Sequence, residues 1–417
     1  MGQHLGCYGR STVSSPALDG LAAGGVRFAR SFCTAPQCSP SRASLHTGRY
    51  PHATGVLGLA HAPFGWRLGS GERHLAHILA DAGYRTGLVG MQHLVERGRE
   101  PELGFEWVSP VAPAYEEAEV AIGQLRELSR GEQPFYLELG FEEPHRPYSF
   151  GGAQPDDSRG VAVPPYLPDG PPARADLAAF QGAIRQMDQA VGRVMAALDD
   201  LGLAERTLVV FTTDHGAAMP RAKCTLYDPG IEVALLMRWP ERGLAGGRVV
   251  DELVSNVDVV PTILQALELP ADGVLHGRGL WPLLTGGEYS ARQEVFAEKT
   301  YHTHFEPMRA IRAARHKLIV NLEVGLRFDV PGDILESPIY PQIIPSLLGT
   351  RPPIELYDLA EDPWEQTNVA DSTAFASVRA DLSQRLLRWM EDTDDPLLGR
   401  PIASPYFADA LAKLRGS

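Results

Sequence analysis

The chain has 417 residues, 44% hydrophobic and 22% charged, enough for one large α/β domain and a smaller companion. Its 38 Lys and Arg stand against 52 Asp and Glu, a formal charge of −14 that excludes the broad basic face of a nucleic-acid binder. An anionic ligand would have to be met by a local cluster of cations. The longest apolar runs, such as Leu208–Phe211 and Val233–Met237, are too short to span a bilayer. The opening residues lack the basic stretch, apolar core and small-residue site of a secretory signal, so the chain reads as cytoplasmic. Four cysteines, Cys7, Cys33, Cys38 and Cys224, are too few for a disulfide framework.

Short apolar runs alternate with amphipathic stretches. A helical segment His74–Ala82 closes at Gly83 and feeds the strand Thr86–Val89. A second strand, Phe135–Leu139, runs into the loop Pro144-His145-Arg146-Pro147. Ala175–Leu201 is the longest helical pattern, with Phe180, Ile184, Met187, Val191, Val194 and Met195 at helical spacing and Gly202 at its end. The β-rich run Thr207–Thr213 follows and ends at Asp214-His215-Gly216; Val233–Arg238 is another strand, halted by Pro240. This alternation predicts a largely parallel sheet covered by helices on both faces, over residues 1–290. Polar residues beyond the strand ends near Val89, Leu139 and Thr213 should then converge. From about Glu294 the pattern changes: Pro307–Leu322 reads as a hairpin with Lys and Arg on its outer face. Ile354–Asp358 reads as a strand and Ala374–Met390 as an amphipathic helix, a smaller α+β domain over 291–417.

The most specific segment is Cys38-Ser39-Pro40-Ser41-Arg42-Ala43-Ser44-Leu45-His46-Thr47-Gly48-Arg49. It resembles the signature of the type I sulfatases, C-x-P-S-R-x-x-L-x-T-G-R, at every fixed position. The likeness continues through Ser15–Ala22 and Gly25–Phe28 upstream, and through Thr212-Thr213-Asp214-His215-Gly216, Glu143-Pro144-His145 and Glu355–Leu359 downstream. Within the family it is nearest to heparan N-sulfatase (sulfamidase) and its bacterial relatives, on Pro171–Ala179, Met187-Asp188-Gln189, Leu226-Tyr227 and Pro307-Met308-Arg309.

The resemblance implies a sulfatase/alkaline-phosphatase-like α/β fold and hydrolysis of small sulfate esters or sulfamates, on a sugar or an aryl group. It implies that a separate formylglycine-generating enzyme oxidises Cys38 to Cα-formylglycine, whose hydrated aldehyde attacks sulfur. Arg42, His93, His145 and Lys223 match the family's catalytic residues; Asp214 and His215, with the modified Cys38, match its calcium ligands, one ion per chain in preference to Mg²⁺ or Mn²⁺. His302 and His304 are further candidates for substrate contact. Taken alone, His93 would read as an ordinary core or surface histidine and Asp214 as a helix cap. No nucleic-acid or membrane partner is expected, and a homo-oligomer is compatible with the sequence.

Two departures stand out. The family's first strand ends in an Asp-Asp pair that binds calcium, and this chain opens just after that point, so the expectation is a start codon placed too far downstream. Met91 stands where many sulfatases carry a sulfate-contacting Lys. The alternatives are a phosphonate or phosphate monoester hydrolase on the same scaffold, or a catalytically impaired homologue that lacks the carboxylate pair.

Overall fold

A computed structural model describes the chain except residues 272, 324–327, 348–349 and 416–417. The described residues form eleven strands: β1 (Val26–Phe32), β2 (Arg85–Gly90), β3 (Trp107–Ser109), β4 (Phe135–Gly140), β5 (Val209–Thr212), β6 (Leu235–Arg238), β7 (Arg248–Ser255), β8 (Glu294–Tyr301), β9 (Phe305–Ala313), β10 (His316–Asn321) and β11 (Ile354–Asp358). β3-β2-β4 form an all-parallel group, and β5-β6-β1-β7 a second group in which β1 and β7 are parallel and β6 runs against its neighbours. The predicted parallel architecture is present, with β6 as its one reversed strand.

The helix Pro171–Asp200 starts with proline at its first position, where no N–H is required, and ends before Gly202 in the left-handed region. Its Phe180, Ile184 and Met187 stripe joins the core that contains Leu18 and Leu21 of the helix Pro16–Ala23. Asp188 projects from the long helix to accept from Ala17 N at 3.1 Å and Leu18 N at 2.8 Å, satisfying two orphan amides of that short helix.

β4 and β5 sit apart in an unusual way. Among the described residues β4 bonds only to β2, and β5 only to β6. Yet Phe135 and Leu137 share one apolar cluster with Val209, Leu198 and Leu203. On the opposite side, Tyr136, Leu208 and Val210 pack against a cluster holding Leu45, Leu75 and Leu264. The two strands therefore present apolar side chains to the same two layers across a gap, and most of those side chains are only half-buried. A cavity of about 1570 Å³ runs through this gap.

The C-terminal sheet is separate and wholly antiparallel, in the order β11-β10-β9-β8. The helix Ala376–Asp392 lays Leu382, Leu386, Trp389 and Met390 on Ile311, Leu318 and Leu356. The hairpin β9–β10 differs in part from expectation: Arg315, in its turn, is exposed, but the cations of its strands are not on an outer face. Arg309 and Lys317 are fully buried and Arg312 nearly so. Arg309 pairs with Asp395 at 2.5 Å, Lys317 with Glu365 at 2.7 Å, and Arg312 with Asp228 at 3.1 Å. Each buried cation has its carboxylate, the condition under which such burial is tolerated.

Candidate active site

Cys38 is the first residue of the helix Cys38–Thr47, buried with its thiol lining the cavity. Its Sγ lies 3.3 Å from His215 Nε2, whose other ring nitrogen is 2.9 Å from the Gly216 carbonyl. Only a donor suits that carbonyl, so Nδ1 carries a proton and Nε2 faces residue 38. Arg42, one turn along the helix, donates from Nε to Asp214 Oδ2 at 3.0 Å. Ser41 Oγ donates to the Asp214 carbonyl, and Asn256 Nδ2 donates to Ser41 O at 3.1 Å, locking the turn to the end of β5.

The loops after β2 and β4 are brought together by glycine. A Cβ at Gly140 would meet the Met91 carbonyl oxygen at 1.9 Å, and one at Gly90 the Gly140 oxygen at 2.5 Å. Met91 N donates to Gly140 O at 2.7 Å. Beyond this pinch, Gln92 Oε1 accepts from Leu94 N and Val95 N, clamping His93 in the left-handed region at φ 63°. His93 Nε2 lies 2.6 Å from His61 Nδ1. Burial and the nearby Arg42 charge lower the His93 imidazole to about 4.

His145 follows β4. Its Nδ1 donates to the Arg146 carbonyl at 2.6 Å, leaving Nε2 to face Lys223 Nζ at 3.2 Å. Lys223 also donates to Asp333 Oδ2 at 2.7 Å. Burial alone would lower the Lys223 ammonium, but Cys38 and Asp333 hold it above its ordinary value. Burial likewise opposes ionisation of Asp333, and Lys223 overcomes it, bringing the carboxyl down to about 2. Cys38 follows the same logic: burial raises its thiol, while Lys223 and His215 pull it below the usual thiol range.

Cys38, Arg42, His93, His145, Lys223, Asp214 and His215 thus line one cavity, as does His302. His304 does not: its side chain is exposed and turns to Asp329, with Nδ1 3.3 Å from Oδ1. Sequence reasoning passed over Asp333 and His61. Neither lies in a motif; Asp333 is 110 residues from the lysine it holds.

A metal has partial provision here. Sγ of Cys38, a carboxylate oxygen of Asp214 and a ring nitrogen of His215 lie within 4.8 Å of one another. Calcium takes about six to eight oxygens. Asp214 is the one carboxylate of this cluster and already accepts from Arg42. These residues by themselves do not fit calcium. Charge nevertheless argues for a cation, because Arg42 is neutralised by Asp214 and Lys223 by Asp333, leaving little net positive charge for an anion.

The Sulfatase family model matches residues 1–269, and the model described as N-sulphoglucosamine sulphohydrolase, C-terminal, matches residues 221–329. The chain belongs to the sulfatase family. This sulfatase is 32% identical to human N-sulphoglucosamine sulphohydrolase, over 96% of this chain and 90% of that protein. It is 30% identical to human arylsulfatase A, over 89% and 82%. Among solved structures it superposes on a 2-O GAG sulfatase with a TM-score of 0.75 at 22% identity, covering 97% of this chain and 92% of that one. It superposes on the phosphonate monoester hydrolase of Agrobacterium radiobacter with a TM-score of 0.71 at 24% identity, covering 93% of each. The chain is a hydrolase of sulfate esters or sulfamates. No helix among its described residues is long and apolar enough to cross a membrane.

Proposed function

We propose that this sulfatase is sulfamidase-like, cleaving the sulfuryl group from a small amino sugar N-sulfate through a formylglycine made from Cys38. The observation that carries the reading is the placement of Cys38, buried at a helix start on the same cavity as Arg42, His93, His145 and Lys223. The choice of sulfamate rests on the identity with human N-sulphoglucosamine sulphohydrolase and the match to its C-terminal model.

Oxidised by a formylglycine-generating enzyme and hydrated, residue 38 supplies a gem-diol nucleophile. Lys223 and the first-turn amides of the Cys38 helix hold sulfuryl oxygens as negative charge develops on them. Arg42 and His215 orient the hydroxyls at residue 38. His145, with Lys223, delivers a proton to the departing nitrogen or oxygen. His93 accepts the proton of the second hydroxyl when sulfate is released, and the aldehyde re-forms.

The metal in this reading is one calcium per chain, held in part by Asp214, His215 and the oxygens of the modified residue 38.

Turnover of glucosamine N-sulfate, 4-nitrophenyl sulfate and phenyl phosphonate esters, compared on native enzyme, tests the reading. Sulfamate should be preferred; a dominant phosphonate activity would overturn it. Cys38→Ser should react at most once per chain, since serine has no second hydroxyl to drive release.

A further inference from the structure

We propose that Asp333 is a positioning residue for leaving-group protonation: its carboxylate lets the His145–Lys223 pair carry the proton taken up by the departing atom. The proposal rests on the sulfatase reading above and deepens it.

His145 has only one free face. Its Nδ1 is committed to the Arg146 carbonyl at 2.6 Å, so any proton it delivers must leave from Nε2. In the neutral ring Nε2 is a lone pair accepting from the Lys223 ammonium at 3.2 Å, which is the proton-poor state of the pair. To act as an acid, Nε2 must be protonated beside an ammonium, two like charges in contact. Asp333 Oδ2 lies 2.7 Å from Lys223 Nζ and 3.6 Å from His145 Nε2, close enough to offset the second positive charge for both. The other charged groups facing the ring act less directly. Glu142 approaches Nδ1 at 3.7 Å, on the side away from the exchanging proton. Arg146 is turned toward Asp176, with Nη1 at 2.7 Å from Oδ1.

One hydroxyl of residue 38, ionised by loss of its proton to solvent, bonds sulfur through its oxygen while the bond from sulfur to the leaving oxygen or nitrogen breaks. The electron pair of that bond stays on the leaving atom, which takes the Nε2 proton. His145 becomes neutral and its lone pair accepts from Lys223, the arrangement seen in the structure; Asp333 stays ionised throughout. Burial and Lys223 both hold His145 below the ordinary imidazole range, and Asp333 opposes them. Removing the carboxylate would therefore lower it further.

The test is a leaving-group series on the native, modified enzyme: 4-nitrophenyl, phenyl and cyclohexyl sulfate, for wild type and Asp333→Asn, with pH profiles. Asp333→Asn should lose only a few-fold in kcat/KM with 4-nitrophenyl sulfate, which needs little proton assistance. The loss should grow to about 10²-fold with cyclohexyl sulfate, the scale of one general acid. The alkaline limb of its pH profile should move to lower pH. Should this variant fail to fold, Asp333→Glu carries the test, with a displaced carboxylate giving an intermediate leaving-group slope. A loss uniform across the series, for either variant, overturns the proposal while leaving the sulfatase reading intact. Absence of wild-type turnover on sulfates and sulfamates alike would instead overturn that underlying reading.

Discussion

His215 Nε2 stands 3.3 Å from Cys38 Sγ, turned to the sulfur because Nδ1 donates to the Gly216 carbonyl. Against the effect of burial, positive charge from Lys223 and His215 lowers the thiol.

This charge can be read out without turnover. In protein made without the modifying enzyme, Cys38 should be alkylated by iodoacetamide at neutral pH ahead of Cys7, which burial and Asp19 push up to about 12. Lys223→Met should raise the Cys38 thiol and slow its alkylation about tenfold or more. An unchanged rate would mean that Lys223 does not act on residue 38.

His93 should govern the second half of the reaction. With its imidazole lowered to about 4, the ring is neutral, and able to accept a proton, throughout the range above that value. Activity should fall as pH drops through about 4, as the base becomes protonated. His93→Ala should give a burst of one leaving group per chain and then stall, by roughly 10²-fold or more. Steady turnover with no burst would place His93 outside this step.

The contact between the β2 and β4 loops is steric. Gly140→Ala sets a Cβ against the Met91 carbonyl and should cost roughly 1–3 kcal/mol, read as a lowered unfolding midpoint. Because the same contact seats His93 and His145, activity should fall more than stability alone explains. A variant with wild-type kcat/KM would show that the loops need not be pinched.

Calcium titration examines the cluster of Cys38, Asp214 and His215. This chain should bind calcium weakly by calorimetry, with a dissociation constant above about 10⁻⁴ M, since one carboxylate serves the cluster. Tight binding by this chain would show that the three residues suffice as a calcium site.

Much of the site was legible because its chemistry is written in contiguous motifs. Cys38 and Arg42 are one helical turn apart, and Asp214-His215 follow a β-rich run whose end the parallel architecture points at the same place. His93 and His145 were legible for the same reason, each lying just past a strand. Asp333 was not, since only tertiary packing brings it to Lys223, with no spacing to announce it. His302 and His304 show another limit: they lie in the bend between β8 and β9, which sends one into the cavity and the other to solvent. The buried cations of β9 and β10 were misread as an outer face because their carboxylate partners, Asp228, Glu365 and Asp395, lie far away in sequence. Where in the sheet the gap between β4 and β5 falls was not legible, because a strand apolar on both faces reads alike with one neighbour or two.

The most direct measurement is the intact mass of the peptide containing Cys38, taken from enzyme purified from its native host. The account predicts a peptide that has lost a sulfur and two hydrogens and gained one oxygen, in proportion to specific activity. A fully active enzyme whose peptide keeps its thiol would contradict it.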